Sequence, residues 1–514
     1  MRLKGLALIL CGIGCYEGAK ILLLTGAVYS HCAEISGVGH ALLDKGHSVF
    51  ILLDETFDHK NCFNNGRNGS GRIQPIVKKL SPEVETSGKI LGTITEAIKA
   101  DHGFSFFTHL SLVRKLSLLS AVNLFYDQVV MQRLKKEKFD LAIVDTVPFA
   151  YCIFLLPMKL GIPYVGISSN LEDFVSGRPF LPSIVPNTLS KFTDSMTFIE
   201  RLSNAAKYVG VNLLGRFSQA IDVLEKYDPD ISRQGLINIV ANCKLFLYNY
   251  DPVLSYPVPQ MPNHVFIGGI SARPAHPLPM TYTKLYNNSP KGVVLVTFGG
   301  TVGSLSAEVD EKLIPAFRKL DATVLWKHAQ EGDDDNIKRF TWVPQNDLLG
   351  HPQTKVFVSQ CGTNAVFEAL YHGVPLVCTP IFADQFYNAE RVKHWNVGKS
   401  LPLLTSTGDD IYEAIKEVMI DPTYKMSMKR ASEMYHSQPM TARERAAFWV
   451  EHVLKFGGDH LRSNASEMST FVFMGYDIVC FLLVILIFTV FLSLKCIFVL
   501  LKFCHKNRKK EKNS

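Results

Sequence analysis

Thr341 to Gln385 reads TWVPQNDLLGHPQTKVFVSQCGTNAVFEALYHGVPLVCTPIFADQ. Lys355-Val-Phe-Val-Ser359 is a short apolar run that predicts a strand, and Gln360-Cys361-Gly362 predicts a turn with little bulk at Gly362. A helix is expected next, with Asn364 as its N-cap, Val366 and Leu370 at helical spacing, and Gly373 with Pro375 beyond it as a stop signal. The apolar run Pro375 to Ile381 then predicts a second strand. It delivers Phe382-Ala383-Asp384-Gln385 to a strand's carboxyl end, where open α/β sheets place their ligands.

The chemistry of this stretch suits a nucleotide sugar. Unpaired N–H groups at the start of a helix hold a diphosphate without a lysine or a metal. Trp342 offers a flat ring for a base, Glu368 can accept ribose hydroxyls, and Asp384 with Gln385 can read sugar hydroxyls. Taken singly, a lone Trp is more often core or interface, a helical Glu a solvated face, and a strand-end Asp a cap. Their order and spacing carry the reading.

Four segments together resemble the signature of the UDP-glycosyltransferase superfamily, in its membrane-bound animal UDP-glucuronosyltransferase branch. They are W-x-P-Q-N-D-L-L-G-H-P at Trp342 to Pro352, G-x-N at Gly362 to Asn364, E-A-x-x-H-G-V-P at Glu368 to Pro375, and F-A-D-Q at Phe382 to Gln385. The resemblance implies a donor site built from Gly299, Gly300, Trp342, Gln345, Gln360, Gly362, Asn364, Glu368, Asp384 and Gln385. Two positions depart from the family pattern. Gln360 stands where a His usually contacts the diphosphate, and an amide donates a hydrogen bond but carries no positive charge. Gly300 stands where Ser is usual.

The chain has 514 residues, enough for two full domains, and a 47% hydrophobic content and mean hydropathy of +0.11 point to a membrane segment. A formal charge of +7, partly from the terminal tail, gives no support to nucleic-acid binding. Residues 1–19 read as a secretory signal, with Arg2 and Lys4, an apolar Leu6 to Ile13, and small residues around Cys15, Gly18 and Ala19. The 11 cysteines show no metal spacing and no dense disulfide framework.

Lys20 to Thr25 predicts a buried strand, followed by a loop carrying Tyr29-Ser30-His31, a helix from about Ala33 to Lys45, and a strand from His47 to Leu53. His31 resembles the family's catalytic base in its S-H motif. Phe139 to Asp145 resembles the F-D-x-x-x-x-D segment, which makes Asp145 the carboxylate that orients that base. The Phe104-Ser-Phe-Phe107 run and Leu110 to Val122 are apolar enough to line an acceptor pocket, although ordinary core accounts for most of these side chains. Ser271 to Pro290, rich in Pro and small residues, reads as a linker between domains at 20–270 and 291–440. The second domain opens with a strand at Gly292 to Phe298 that feeds the glycine loop Gly299 to Gly303.

Asp333-Asp-Asp335 reads as a solvated loop, with no metal required for departure of the leaving group. Thr441 to Phe456 predicts an amphipathic helix with Phe448, Trp449 and Val453 on its apolar side, and the resemblance implies that it crosses back to the first domain. Residues 441–475 lead into a transmembrane helix at 476–501 and a basic tail at 502–514, which the positive-inside rule places in the cytosol with the catalytic domains luminal. Lys510 and Lys512 resemble a dilysine endoplasmic-reticulum retrieval signal, and Asn68, Asn287 and Asn464 head glycosylation sequons.

The expected fold is therefore α/β, with two Rossmann-like domains of the GT-B type and a single C-terminal membrane helix. The expected function is inverting transfer of glucuronate from UDP-glucuronate to hydroxyl groups of small lipophilic acceptors. The UDP-sugar is a co-substrate and no cofactor is needed. A homo- or hetero-oligomer in the endoplasmic-reticulum membrane is expected from the same resemblance. The alternatives are UDP-glucose as donor, because the motif is shared with glucose users and no positive residue marks a carboxylate, and a donor-binding but inactive partner of active relatives, which Gln360 and Gly300 motivate.

Overall fold

The computed structural model describes residues 18–26, 29–55, 62–63, 72–82, 84, 106–169, 173–179, 181–217, 221–226, 229, 231–299, 307–466 and 468–511. The expected signal segment up to residue 17, Asn68, Gly300 and Lys512 lie outside them.

Two seven-stranded sheets organise the chain. The first contains β1 (Lys20–Leu24), β2 (Ser48–Asp54), β3 (Gln74–Lys78), β4 (Leu141–Asp145), β5 (Tyr164–Ser168), β6 (Phe246–Tyr248) and β7 (His264–Phe266), in the order β3-β2-β1-β4-β5-β6-β7. The second contains β8 (Val293–Thr297), β9 (Thr323–Lys327), β10 (Gly332–Asp334), β11 (Ile337–Phe340), β12 (Thr354–Ser359), β13 (Leu376–Cys378) and β14 (Gly398–Ser400), in the order β10-β11-β9-β8-β12-β13-β14. Among the described residues all pairings are parallel except β10 with β11.

A parallel sheet covered on both faces needs continuous apolar strands, and KILLL of β1 and VVLVT of β8 supply them. Alternation then splits β1 between two cores. Leu22 and Leu24 pack with Phe50, Leu124 and Phe154 on one face, while Ile21 and Leu23 pack with Ile35, Val38 and Leu42 on the other.

The strand orders fix where chemistry can occur. In the first sheet the order reverses between β1 and β4, and in the second between β8 and β12. Such a reversal opens a crevice at the carboxyl ends of the two strands, because the chain leaves them in opposite directions. Asp145 ends β4 and the His31 segment follows β1; Gly299 follows β8 and Gln360 follows β12. All four residues proposed from the sequence at strand ends thus sit at switch points.

Several local expectations shift. Helix α1 spans Tyr29–Asp44, so Tyr29, Ser30 and His31 form its first turn and not a loop. Helix α2 covers Phe106–Leu124. The Pro-rich stretch 271–290 is not a bare linker, because Met280–Asn287 is helical and buries Tyr282 and Tyr286 against the second domain. Asp333 and Asp334 belong to an edge hairpin, where Asp333 pairs with Lys338 and Asp334 with Arg318 at 2.6 Å, and not to a free loop.

Helix α3 (Thr363–His372) links β12 to β13 and α4 (Gln385–His394) follows β13. Helix α5 (Ala442–Phe456) starts from a capping box between Thr441 and Glu444 and buries Ala446, Ala447, Val450 and Val453 in the core of the first domain. Phe448 of α5 is exposed and Trp449, partly buried, packs against the margin of that core, so the fully buried part of the crossing contact is Ala446, Ala447, Val450 and Val453. Close approach of helices favours that choice. The last helix, α6 (Tyr476–Glu511), contains an unburied apolar stretch over Tyr476–Phe503, long enough to cross a membrane.

Candidate active site

The first half of the site is a dyad. Leu24 of β1 pairs with Val144 of β4, so the residues that follow both strands emerge side by side. His31 Nδ1 lies 2.9 Å from Asp145 Oδ2 and 3.1 Å from Oδ1, and Asp145 is buried. Asp145 also accepts hydrogen bonds from the backbone N–H groups of Gly26 and Val147, at 3.2 and 3.1 Å, which fix its orientation. Burial opposes the charged imidazolium, but Asp145, Glu34 and Asp384 together outweigh it and push His31 up to about 9. With Nδ1–H held by the carboxylate, Nε2 is the nitrogen left to take a proton.

Glu34 was not singled out from the sequence. It lies one turn beyond His31 on α1 and is 2% exposed. Its carboxylate accepts from Ser169 Oγ at 2.7 Å and from Asn249 Nδ2 at 2.6 Å. Burial raises its pKa, and the neighbouring His31 pulls it down. The i, i+3 spacing from His31 becomes visible only once α1 is known to begin at Tyr29.

The second half surrounds the start of α3. Thr297 of β8 and Ser359 of β12 are register partners, so Gly299 and Gln360 meet just beyond them. Gly299 has φ +74°, and any side chain there would collide with the Gln360 amide. Ser359 Oγ donates to Gln360 Oε1 at 3.0 Å, which leaves the Nε2 group as the donor beside Gly299.

Gly362, not Asn364, is the N-cap of α3, and no side chain caps the helix. Its first-turn N–H groups therefore remain for an anion. Asn364 instead spans the gap between domains. Its Nδ2 donates to the Ser30 carbonyl at 3.1 Å, and its Oδ1 accepts from Asn249 Nδ2 and Ser271 Oγ at 3.0 and 3.2 Å. The start of the second domain's helix is thus bonded to the residue preceding His31.

The remaining predicted residues fall around this centre. Thr297 Oγ1 donates to Gln345 Oε1 at 2.5 Å, and Gln345 Nε2 donates to Glu368 Oε2 at 2.6 Å. Burial pushes Glu368 up to about 7, against the lowering effect of that amide. Trp342 is 46% exposed, and its carbonyl accepts from Tyr282 at 2.9 Å. Asp384 Oδ2 accepts from Thr363 Oγ1 and Asn388 Nδ2, each at 2.9 Å. Gln385 is buried, and its Oε1 holds the N–H groups of Ile381 and Phe382 at 2.9 and 3.1 Å, so it shapes the loop that carries Asp384.

A cleft of about 640 Å³, counted with its open mouth, lies beside the dyad under α2 and includes Thr25, Gly26, Lys78, Leu119 and Asn123. Leu119 of the expected acceptor-lining segment faces it, while Leu116 and Ala121 are core. The side chains of Phe104 to Phe107 lie outside the described residues. Of the sequon residues, Asn287 and Asn464 are exposed.

Among the described residues two disulfides, Cys32–Cys62 and Cys361–Cys378, are present. Nothing in the cysteine spacing indicates either pairing, because the fold alone brings each pair of residues together.

Two Rossmann-like domains whose switch points face each other, closed by a crossing helix, define a GT-B glycosyltransferase fold. Solved structures match it. The glycotransferase of kitacinnamycin superposes with a TM-score of 0.55 at 19% identity, covering 85% of this chain and 99% of its own. The glycosyltransferase VinC in complex with DTDP does so with a TM-score of 0.55 at 16% identity and the same coverage. The family described as "UDP-glucoronosyl and UDP-glucosyl transferase" matches residues 19–511. UDP-glucuronosyltransferase 1-2 of Mus musculus is 30% identical over 96% of this chain and 93% of its own length, and UDP-glucuronosyltransferase 2B19 of Macaca fascicularis is 30% identical over 98% of each. The chain belongs to this family of UDP-sugar-dependent glycosyltransferases.

Proposed function

We propose that the protein is an inverting transferase that moves glucuronate from UDP-glucuronate to a hydroxyl group of a small lipophilic acceptor. The observation that carries the reaction type is the His31–Asp145 dyad within electrostatic reach of Asp384, with the uncapped start of α3 bonded through Asn364 to Ser30, the residue before His31. His31 Nε2 removes the acceptor's hydroxyl proton, and the oxygen attacks the anomeric carbon from the side opposite UDP. The bond from that carbon to the diphosphate breaks, and the negative charge that develops on the leaving phosphate is met by the N–H groups of α3 and the Gln360 amide. Asp384 reads sugar hydroxyls, Glu368 the ribose, and Trp342 the base. No cofactor enters this scheme, and turnover is expected to persist in EDTA.

The glucuronate assignment rests on the names of the relatives. UDP-glucose is the second reading, because the ionisable groups whose charges act on His31 are the carboxylates of Asp145, Glu34 and Asp384, a setting that suits an uncharged sugar better than an anionic one. Turnover in membranes with a panel of UDP-sugars decides between them. Product from UDP-glucuronate is the expected result, and product from UDP-glucose alone overturns it.

The same reading places the protein in the endoplasmic-reticulum membrane as a single-pass type I glycoprotein, with residues 1–19 removed, the catalytic domains in the lumen, and Lys510 and Lys512 in the cytosol. Two disulfides fit an oxidising compartment. A mobility shift on removal of N-linked glycans, lost when Asn68, Asn287 and Asn464 are replaced together, tests the orientation.

A further inference from the structure

Cys361 combines a left-handed backbone with a covalent tether inside the donor site. Its φ is +59°, a conformation that side-chain-bearing residues rarely adopt, and it is fully buried. Its partner, Cys378, ends β13 and is the register partner of Ser359, the last residue of β12. The bond therefore closes the segment that contains all of α3, and it ties the turn before that helix to the strand after it.

The turn is wired to both ends of the donor site. The Cys361 N–H donates to Ser359 Oγ at 3.2 Å, and the same hydroxyl donates to Gln360 Oε1 at 3.0 Å. The Cys361 carbonyl accepts from Asn388 Nδ2 at 2.9 Å, and that amide also contacts Asp384 Oδ2 at 2.9 Å and Thr363 Oγ1 at 3.2 Å. Rotation of φ at residue 361 to a negative value would swing the Gln360–Cys361 peptide. Such a swing displaces the Gln360 amide, the first N–H groups of α3 and, through Asn388, the Asp384 carboxylate.

We propose that the Cys361–Cys378 disulfide is a positioning device for the UDP-sugar, holding the left-handed turn that aims the Gln360 amide and the α3 N–H groups at the diphosphate and Asp384 at the sugar. The inference rests on the glycosyltransferase reading above. A bond that served stability alone would be replaceable by any pair of small residues at equal cost to donor binding. A bond that holds the turn is replaceable only where residue 361 tolerates positive φ, as glycine does.

The test compares the full-length double variants C361A/C378A and C361G/C378A in membranes. It measures donor KM, acceptor KM and the Kd of UDP. C361A/C378A is expected to raise donor KM and the Kd of UDP about tenfold with acceptor KM unchanged, and C361G/C378A to keep both within about threefold of the parent. Equal donor constants in the two variants, whether parental or raised together, overturn the inference. Should C361A/C378A fail to accumulate folded, C361N/C378A replaces it and is expected to raise donor KM and the Kd of UDP above those of C361G/C378A, since Asn visits the left-handed region less readily than Gly; constants equal to the glycine variant's overturn the inference. A parent that turns over no UDP-sugar overturns the functional reading, and the Kd of UDP in the same variants still decides whether the turn positions the diphosphate.

Discussion

His31 Nδ1 sits 2.9 Å from Asp145 Oδ2, with Asp145 itself pinned by two backbone N–H groups from the ends of the neighbouring strands. The carboxylate thus has no freedom to leave the ring, and the imidazole has one nitrogen committed and one available.

This arrangement sets a pH profile. His31 acts as a base only when neutral, and its pKa is raised to about 9, so kcat/KM should climb with pH and level off only above that value. His31→Ala should reduce kcat by roughly a thousandfold without a change in the Kd of UDP. Asp145→Asn removes the main charge that favours the imidazolium, so the climb should begin at lower pH while the plateau falls by about a hundredfold or more. A parental profile rising near the ordinary histidine value of about 6.5 would show that the dyad is not closed in the working enzyme.

Glu34 adds a second carboxylate behind the base. The charged and titratable groups acting on His31 are Asp145 and Glu34 from its own domain and Asp384 from the other. Glu34→Gln keeps a hydrogen-bonding side chain for Ser169 and Asn249 but deletes a negative charge. The imidazolium loses support, its pKa falls, and the ascending limb of kcat/KM moves to lower pH. Rate measurements from pH 6 to pH 10 check this, and an unmoved limb would mean that Glu34 is protonated throughout.

Much of this site could be read from the chain itself, and the parts that could not have a common cause. The strand, turn and helix around Gln360 to Gly373 follow from apolar runs and stop signals that are local, whereas His31 and Asp145 are marked by the resemblance of their motifs to the family's. Asn364 was read as a cap because its residue type suits one. The cap went to Gly362, while Asn364 satisfies Ser30, Asn249 and Ser271 from a distant part of the chain. Glu34 draws its meaning from Ser169 and Asn249, and Cys361 from Cys378; such pairings depend on how the sheets assemble. The Met280–Asn287 helix was hidden by its proline-rich flanks, although Tyr282 and Tyr286 stand at helical spacing.

Glu368 gives the donor site its own pH dependence. Burial raises it to about 7, so it is protonated below and ionised above that value. Only the ionised carboxylate accepts two hydroxyl protons at once, hence donor KM should fall as pH rises through about 7. Glu368→Gln should raise donor KM about tenfold and flatten its dependence on pH, leaving acceptor KM unchanged. A donor KM that keeps its slope in the variant would assign the titration to another group.

Gln360 tests how much charge the leaving group needs. Its Oε1 is held by Ser359 Oγ and its Nε2 lies beside Gly299, so the side chain presents one neutral donor to the diphosphate region. A neutral donor still stabilises developing charge, and a protonated imidazole in its place would do so about twice as strongly. Gln360→His should therefore raise kcat several-fold with little effect on acceptor KM, and the gain should fade as pH rises and the new ring loses its proton. Gln360→Ala, which deletes the donor, should lower kcat by about a hundredfold, the scale expected for loss of one preorganised hydrogen bond to a developing anion. If the alanine variant keeps the parental kcat and donor KM, the α3 amides carry the leaving group without help, and residue 360 serves only to fill the space over Gly299.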